Sequence, residues 1–300
     1  MRALVIGADG TIGRALMDAL RRRGDVAIGT TRRMAAGDGP ATLFLDLADP
    51  RAADSVPLPD ADVAYFCAAM TSFSDCRSQP ELAQRVNVEA PVALAQELVS
   101  RGARAILLST GAVFDGRSPR VPASRPTGPT TAYGRFKADA ERAFLALGAA
   151  ACVVRLTKVL VPTLPLFVGW IEALGRGETV SAFSDMGISP ISLEDAVSGL
   201  LAVADVPGGG IYQLSGATDI SYADAARHLA RRLGFGPDRV AAVRAVDNGI
   251  PPEQAVLFTS LDPARMVALT GRPAPGPFDV LDRVYGPVIA AALAAKQKAS

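Results

Sequence analysis

Short apolar runs alternate with longer stretches of helical periodicity along the first half of the chain. The runs at residues 3–6, 26–30, 42–45, 63–68, 105–109 and 152–156 are four to six residues long. They are near-continuously apolar, as strands buried on both faces of a parallel sheet are, and lack the strict alternation of half-exposed strands. Between them, residues 12–23, 80–101 and 132–147 repeat apolar positions at three- and four-residue spacing and predict helices. Strand and helix in alternation give an α/β fold, a doubly wound parallel sheet with helices on both faces. After residue 156 the alternation weakens. Helices are expected at 165–175, 193–204, 222–234 and 278–295, with one more strand at 211–214.

Composition removes several function classes. Thirty-one basic against thirty acidic residues leave a net charge of +1, so no overall field draws the chain to nucleic acid or to an anionic membrane. Three cysteines, Cys67, Cys76 and Cys152, lack paired metal-ligand spacing and only one histidine, His228, accompanies them, so no metal site is expected. No apolar run nears the roughly twenty residues that a membrane span needs. The opening MRALVIGADG turns at once into a strand and a glycine loop rather than a signal peptide, and the expected setting is the cytoplasm with reduced thiols.

The loop after the first run carries the first chemistry. ALVI runs into GADGTIG, placing Gly7, Asp9, Gly10, Thr11, Ile12 and Gly13 between a buried strand and a helix. Glycines there permit a tight turn and close approach of backbone N–H groups to a pyrophosphate, with the helix N-terminus adding positive potential. This context makes the loop a candidate dinucleotide site of the Rossmann type. At the end of the second strand, where an acidic residue would bind a ribose 2′-hydroxyl, the chain has Thr31, Arg32 and Arg33. Two guanidinium groups suit a 2′-phosphate, so NADP(H) is the preferred cofactor and NAD(H) stays open. Asp46 and Leu47 after the third strand, and Ala68 and Ala69 after the fourth, complete the expected cofactor contacts. Residues 1–160 then form a dinucleotide-binding domain, to which the strand near 211–214 returns. Residues 161–300 form a smaller, mostly helical, mainly substrate-binding region.

A second constellation lies at residues 131–141. Tyr133 and Lys137 stand four apart in AYGRFKADAE and share one helical face. An ammonium close to a phenol favours the phenolate, so the pair is expected to lower the tyrosine pKa and to exchange a proton with an alcohol or carbonyl. The lysine can also reach a cofactor ribose. Ser109 and Thr110 end the fifth strand, at the carboxyl edge where open α/β sheets bind ligands, and a hydroxyl there can polarise a carbonyl. Other polar and aromatic residues read more plainly. His228 belongs to an amphipathic helix surface, Trp170 and Phe167 to a core, and Cys67 to the packing of a buried strand.

The motifs GADGTIGRAL, RVNVEAP, STGAVFDG and TAYGRFKADAE, with VVRLTKVL and SPISLEDAV in support, resemble the extended short-chain dehydrogenases/reductases. Within them they resemble the dTDP-4-dehydrorhamnose reductase branch of sugar-nucleotide-modifying proteins. The resemblance implies that Thr110 is the hydroxyl partner, Tyr133 the general acid, and Lys137 its modulator and ribose contact. It also implies a nucleotide-sugar substrate whose 4-keto group is reduced, and a homodimer by analogy. Thr71, Ser109, Val113, Phe114 and Lys158 are the candidate substrate residues. Gly111 and Ala112 stand where rhamnose-pathway enzymes carry acidic and aromatic residues. Lys158 replaces an apolar or aromatic residue and reads either as a phosphate or carboxylate contact or as a solvated rim lysine. Two alternatives accompany the reductase: an epimerase or dehydratase that recycles its cofactor, and a cofactor-binding regulatory subunit without turnover.

Overall fold

The computed structural model of the chain describes residues 1–33, 41–52 and 57–299. It divides into two compact units. The first comprises Met1–Phe114, Pro126–Leu156 and Ala196–Gln213, and the second Asp115–Arg125, Thr157–Asp195 and Leu214–Ser300.

In the first unit the apolar runs become β1 (Arg2–Ile6), β2 (Val26–Thr31), β3 (Thr42–Phe44), β4 (Val63–Phe66), β5 (Arg104–Thr110) and β6 (Ala151–Leu156), joined by the strand Gly210–Leu214. Their order across one seven-stranded sheet is Gly210–Leu214, β6, β5, β4, β1, β2, β3. The pairings from β3 to β6 are all parallel, so the carboxyl ends of β1, β2, β4 and β5 share one edge. The order turns about β1, and the gap between β1 and β4 is the switch point at which such sheets hold ligands.

Period-two alternation decides which side chains meet the helices. Leu4, Ile6, Ala64, Phe66, Ala105, Leu107, Ala151 and Val153 build one buried cluster with Leu94, Leu98, Ala140 and Phe144 from the covering helices. Phe66 meets Phe144 edge to face at 5.0 Å. Every residue of β6 is buried, Arg155 included.

The helix expected over residues 80–101 is interrupted. It forms as Pro80–Gln84, a π-helical turn Arg85–Glu89, and Ala90–Ser100. Pro91 supplies the reason: it has no N–H for the carbonyl four residues back, so the ladder widens where it would otherwise break.

The second unit has its own core, in which Phe167 stacks on Tyr285 at 5.1 Å and packs against Trp170 at 5.3 Å. Its helices Pro165–Gly175, Tyr222–Arg232 and Pro277–Ala299 follow the periodic stretches. It is less helical than its sequence suggests. Three two-stranded pairs join Lys158–Leu160 to Pro190–Ser192, Gly187–Ile188 to Ile220–Ser221, and Val180–Phe183 to Val240–Val243. Strands of two to four residues are too short to print an alternation. Among the described residues no helix is long and apolar enough to cross a membrane.

Candidate active site

The glycine loop is held by β2 and β4. Gly7 has φ +87°, a left-handed conformation, and a Cβ there would fall 2.7 Å from Ala68 atoms. Its N–H donates to Thr30 Oγ1 at 3.2 Å. The following helix, α1 (Thr11–Arg22), starts at Gly10 with no side-chain cap and no acidic residue in its first turn. Its first N–H groups are therefore left for an anion, and the loop fits a dinucleotide pyrophosphate.

A cleft of about 470 Å³ opens over this loop. It is lined by Gly7, Asp9 and Gly10, by Thr31 at the end of β2 with Arg32 and Arg33 after it, by Asp46 and Leu47, and by Ala68, Ala69 and Thr71 after β4. Thr11, Ile12 and Gly13 belong to the first turn of α1 and do not line it. The two arginines differ. Arg33 donates to Asp9 Oδ2 from Nε at 3.2 Å and Nη2 at 3.0 Å, an ion pair from β2 to the glycine loop. Asp46 is partly committed to its own turn, accepting from the Ala48 N–H at 2.9 Å.

The helix Ala132–Leu145 carries Tyr133 and Lys137. Thr131 caps it by accepting from the Gly134 N–H at 3.1 Å. Gly134 lets the helix close on the turn after β5, since a Cβ there would lie 2.2 Å from the Ala112 carbonyl oxygen. Thr110 and Tyr133 are thereby brought close enough for the threonine hydroxyl to act on the phenol. Thr110 Oγ1 also accepts from the Ala112 N–H at 3.1 Å, which leaves its own proton to donate.

The electrostatics differ from the expectation that Lys137 would lower the Tyr133 pKa. Burial pushes the phenol well above its ordinary range, Cys76 adds to the rise, and only the Thr110 hydroxyl opposes it. Lys137 is 2% exposed. Burial lowers its ammonium to about 8, against the pull of Glu141 and Cys67. Desolvation thus dominates both shifts, and Lys137 is not among the groups that act on the phenol. Cys67 lines the cleft and acts on Lys137, whereas Thr110, Tyr133 and Lys137 are not themselves among the residues that line it.

The remaining candidates fall elsewhere. Ser109, Val113 and Phe114 are buried and do not line the cleft. Ser109 Oγ has no hydrogen-bond partner among the described residues. Lys158, in the second unit, is exposed at the start of Lys158–Leu160. His228 pairs with Asp282 at 2.8 Å and stacks on Phe278, an ordinary helix contact.

Two features were not singled out from the sequence. Asn87, in the π-helical turn, clamps the peptide groups of Met70: its Oδ1 accepts from Met70 N at 2.8 Å and its Nδ2 donates to Met70 O at 3.0 Å. This fixes the segment after β4 that lines the cleft, and RVNVEAP was its only trace in the sequence. The other is the buried pair Glu141–Arg155. Only the all-apolar setting of Arg155 in VVRL marked it out.

The family model described as the RmlD substrate binding domain matches residues 1–260. A dTDP-4-dehydrorhamnose reductase from Streptomyces griseus is 33% identical, covering 92% of this chain and 97% of its own. Another from Mycobacterium tuberculosis is 31% identical over 81% of this chain and 79% of its own. A solved dTDP-4-dehydrorhamnose reductase from Bacillus anthracis, in complex with NADP, superposes with TM-score 0.80 at 20% identity, covering 95% of this chain and 99% of that one. With the glycine loop, the switch-point cleft and the Thr110–Tyr133–Lys137 group already in place, the chain belongs to the RmlD family of extended short-chain dehydrogenases/reductases, which are NAD(P)-dependent oxidoreductases.

Proposed function

We propose that the chain reduces the 4-keto group of a nucleotide-linked 6-deoxysugar of the dTDP-4-dehydrorhamnose kind, with NADP(H) preferred over NAD(H). The observation that carries this is the meeting of Thr110 and Tyr133 at the carboxyl edge of the sheet, with Lys137 one helical turn on.

A reduced nicotinamide, when bound, supplies the hydride. The protein supplies the proton. Tyr133, with its pKa raised, holds its proton at neutral pH and can deliver it to the oxygen that becomes the alcohol. The Thr110 proton stabilises negative charge on that oxygen or on the phenolate left behind. Lys137, titrating at about 8, is mostly cationic at neutral pH and favours the same phenolate. Gly7, Gly10 and the bare start of α1 would hold the pyrophosphate, and Arg32 and Arg33 the 2′-phosphate. We assign sugar and nucleotide selection mainly to the second unit, and the reaction to the cytoplasm, where reduced cofactor is regenerated.

The test is calorimetric titration with NADPH and NADH, followed by NADPH oxidation with dTDP-4-dehydrorhamnose. Turnover that disappears in Tyr133→Phe while NADPH still binds supports the reading. Binding without turnover of any 4-keto sugar nucleotide shifts the assignment to a recycling epimerase or a regulatory subunit. Absence of binding removes the cofactor assignment.

A further inference from the structure

Arg155 is a guanidinium in the middle of a sheet, 2% exposed. It donates to Glu141 from Nε, at 3.0 Å to Oε1 and 3.2 Å to Oε2, and from Nη2, at 2.7 Å to Oε2. Its Nη1 donates to Gln213 Oε1 at 3.3 Å. The guanidinium carbon lies 4.8 Å from the centroid of the Phe114 ring. Two of these partners, and the strand register of Arg155, lead back to Thr110, Tyr133 and Lys137. Glu141 stands one helical turn after Lys137 and two after Tyr133, on the same helix. Phe114 closes the 3-10 turn Gly111–Val113 that follows Thr110. Arg155 itself is paired in register with Ser109, next to Thr110 on β5.

A buried ion pair is an uneconomical way to stabilise a fold, because apolar residues of similar volume do as well or better. What it provides here is a single planar group that touches the helix through Glu141 and the end of the turn through Phe114, on a strand paired with β5. It also sets a charge balance. Lys137 and Arg155 against Glu141 leave one net positive charge beside the phenol. At neutral pH Cys67, raised to about 12, and Cys76, raised by burial, are uncharged thiols and do not cancel it; they act on Lys137 and Tyr133 only at the higher pH where they ionise.

We infer that Glu141 and Arg155 are positioning residues for the proposed reduction, the buried pair fixing where the Lys137 ammonium and the Thr110 turn stand relative to Tyr133. The inference rests on that reading of function, but one of its tests does not need turnover. The chain has only four lysines, so ε-carbon-13 lysine signals can be titrated by NMR and Lys137 identified through Lys137→Met. Glu141→Gln is the direct variant. Glu141→Gln/Arg155→Met removes both charges together and guards against misfolding from a buried guanidinium that has lost its carboxylate.

The expected result in both is a Lys137 titration midpoint at least half a pH unit below the wild-type value. The kcat should fall tenfold or more, with KM within about twofold. A lowered melting temperature with an unmoved Lys137 midpoint and an unmoved pH profile would mean a structural pair only and overturns the inference. A shifted midpoint in a protein whose wild type turns over no sugar nucleotide keeps the positioning network and overturns the functional reading instead.

Discussion

Two buried cations sit in neighbouring elements of the first unit and are treated in opposite ways. Arg155, on β6, has a carboxylate on its Nε and Nη2, an amide on its Nη1 and an aromatic face beside it. Lys137, on the adjoining helix, is equally buried but forms no ion pair with a described residue, and its charge is opposed by burial. The paired cation holds elements in place. The unpaired one stores unfavourable energy at the point where the proposed reduction would use a positive charge, as functional sites commonly do at a cost in stability. The guanidinium, with its fixed fork of donors, suits the first task, and the compact, readily shifted ammonium suits the second.

The largest expected effect falls on the proposed proton donor. Tyr133→Phe should lower kcat by about 10²–10⁴ with NADPH affinity unchanged, measured by steady-state kinetics beside calorimetry. An equal loss of binding would mean that the phenol holds cofactor rather than moving a proton.

Lys137→Met separates the two cations most sharply. It should abolish most turnover and yet raise stability at neutral pH by on the order of 3 kcal/mol, read by chemical denaturation. The sign follows from linkage. The folded-state pKa, about 8, lies below the ordinary lysine value of 10.5, so between the two the unfolded chain binds more protons. Stability therefore rises with pH through that window, and removing the charge gives the same gain at neutral pH. By contrast, Arg155→Met alone should cost about 3–5 kcal/mol by leaving the Glu141 carboxylate buried and unpaired, and the double variant with Glu141→Gln should recover much of that loss.

A smaller effect is expected at the nucleotide. Arg32→Ala should weaken NADPH binding by about tenfold to a hundredfold and leave NADH nearly untouched, because only the 2′-phosphate loses a charge-assisted hydrogen bond. Arg33→Ala should do less, since that side chain is shared with Asp9. The mildest effect is on the wild type: kcat should decline as pH rises through about 8 and Lys137 loses its proton.

Much of this architecture was legible in the chain. Seven apolar runs gave the seven strands of the sheet within two residues at each end, because a strand buried on both faces must be apolar throughout. The four-residue spacing of Tyr133 and Lys137 placed both on one helix before any coordinate was known. The π-helical turn at Arg85–Glu89 and the strand pairs of the second unit were not legible, since a proline's effect on a long helix and the pairing of two- to four-residue strands depend on what packs against them.

The sequence by itself determined the fold class, the glycine loop between strand and helix, and the placing of Tyr133 and Lys137 on one helix, because each is written in local spacing or in a continuous apolar pattern. Only the tertiary structure decided that Glu141 meets Arg155 and that Asn87 clamps Met70, since those partners lie 14 and 17 residues apart and their pairing is set by sheet register and helix packing. It decided the protonation balance as well. Lys137 near a phenol reads in the sequence as a group that lowers the tyrosine pKa, but burial raises the phenol and lowers the ammonium, because desolvation depends on how much protein surrounds a charge rather than on which residue stands four positions away.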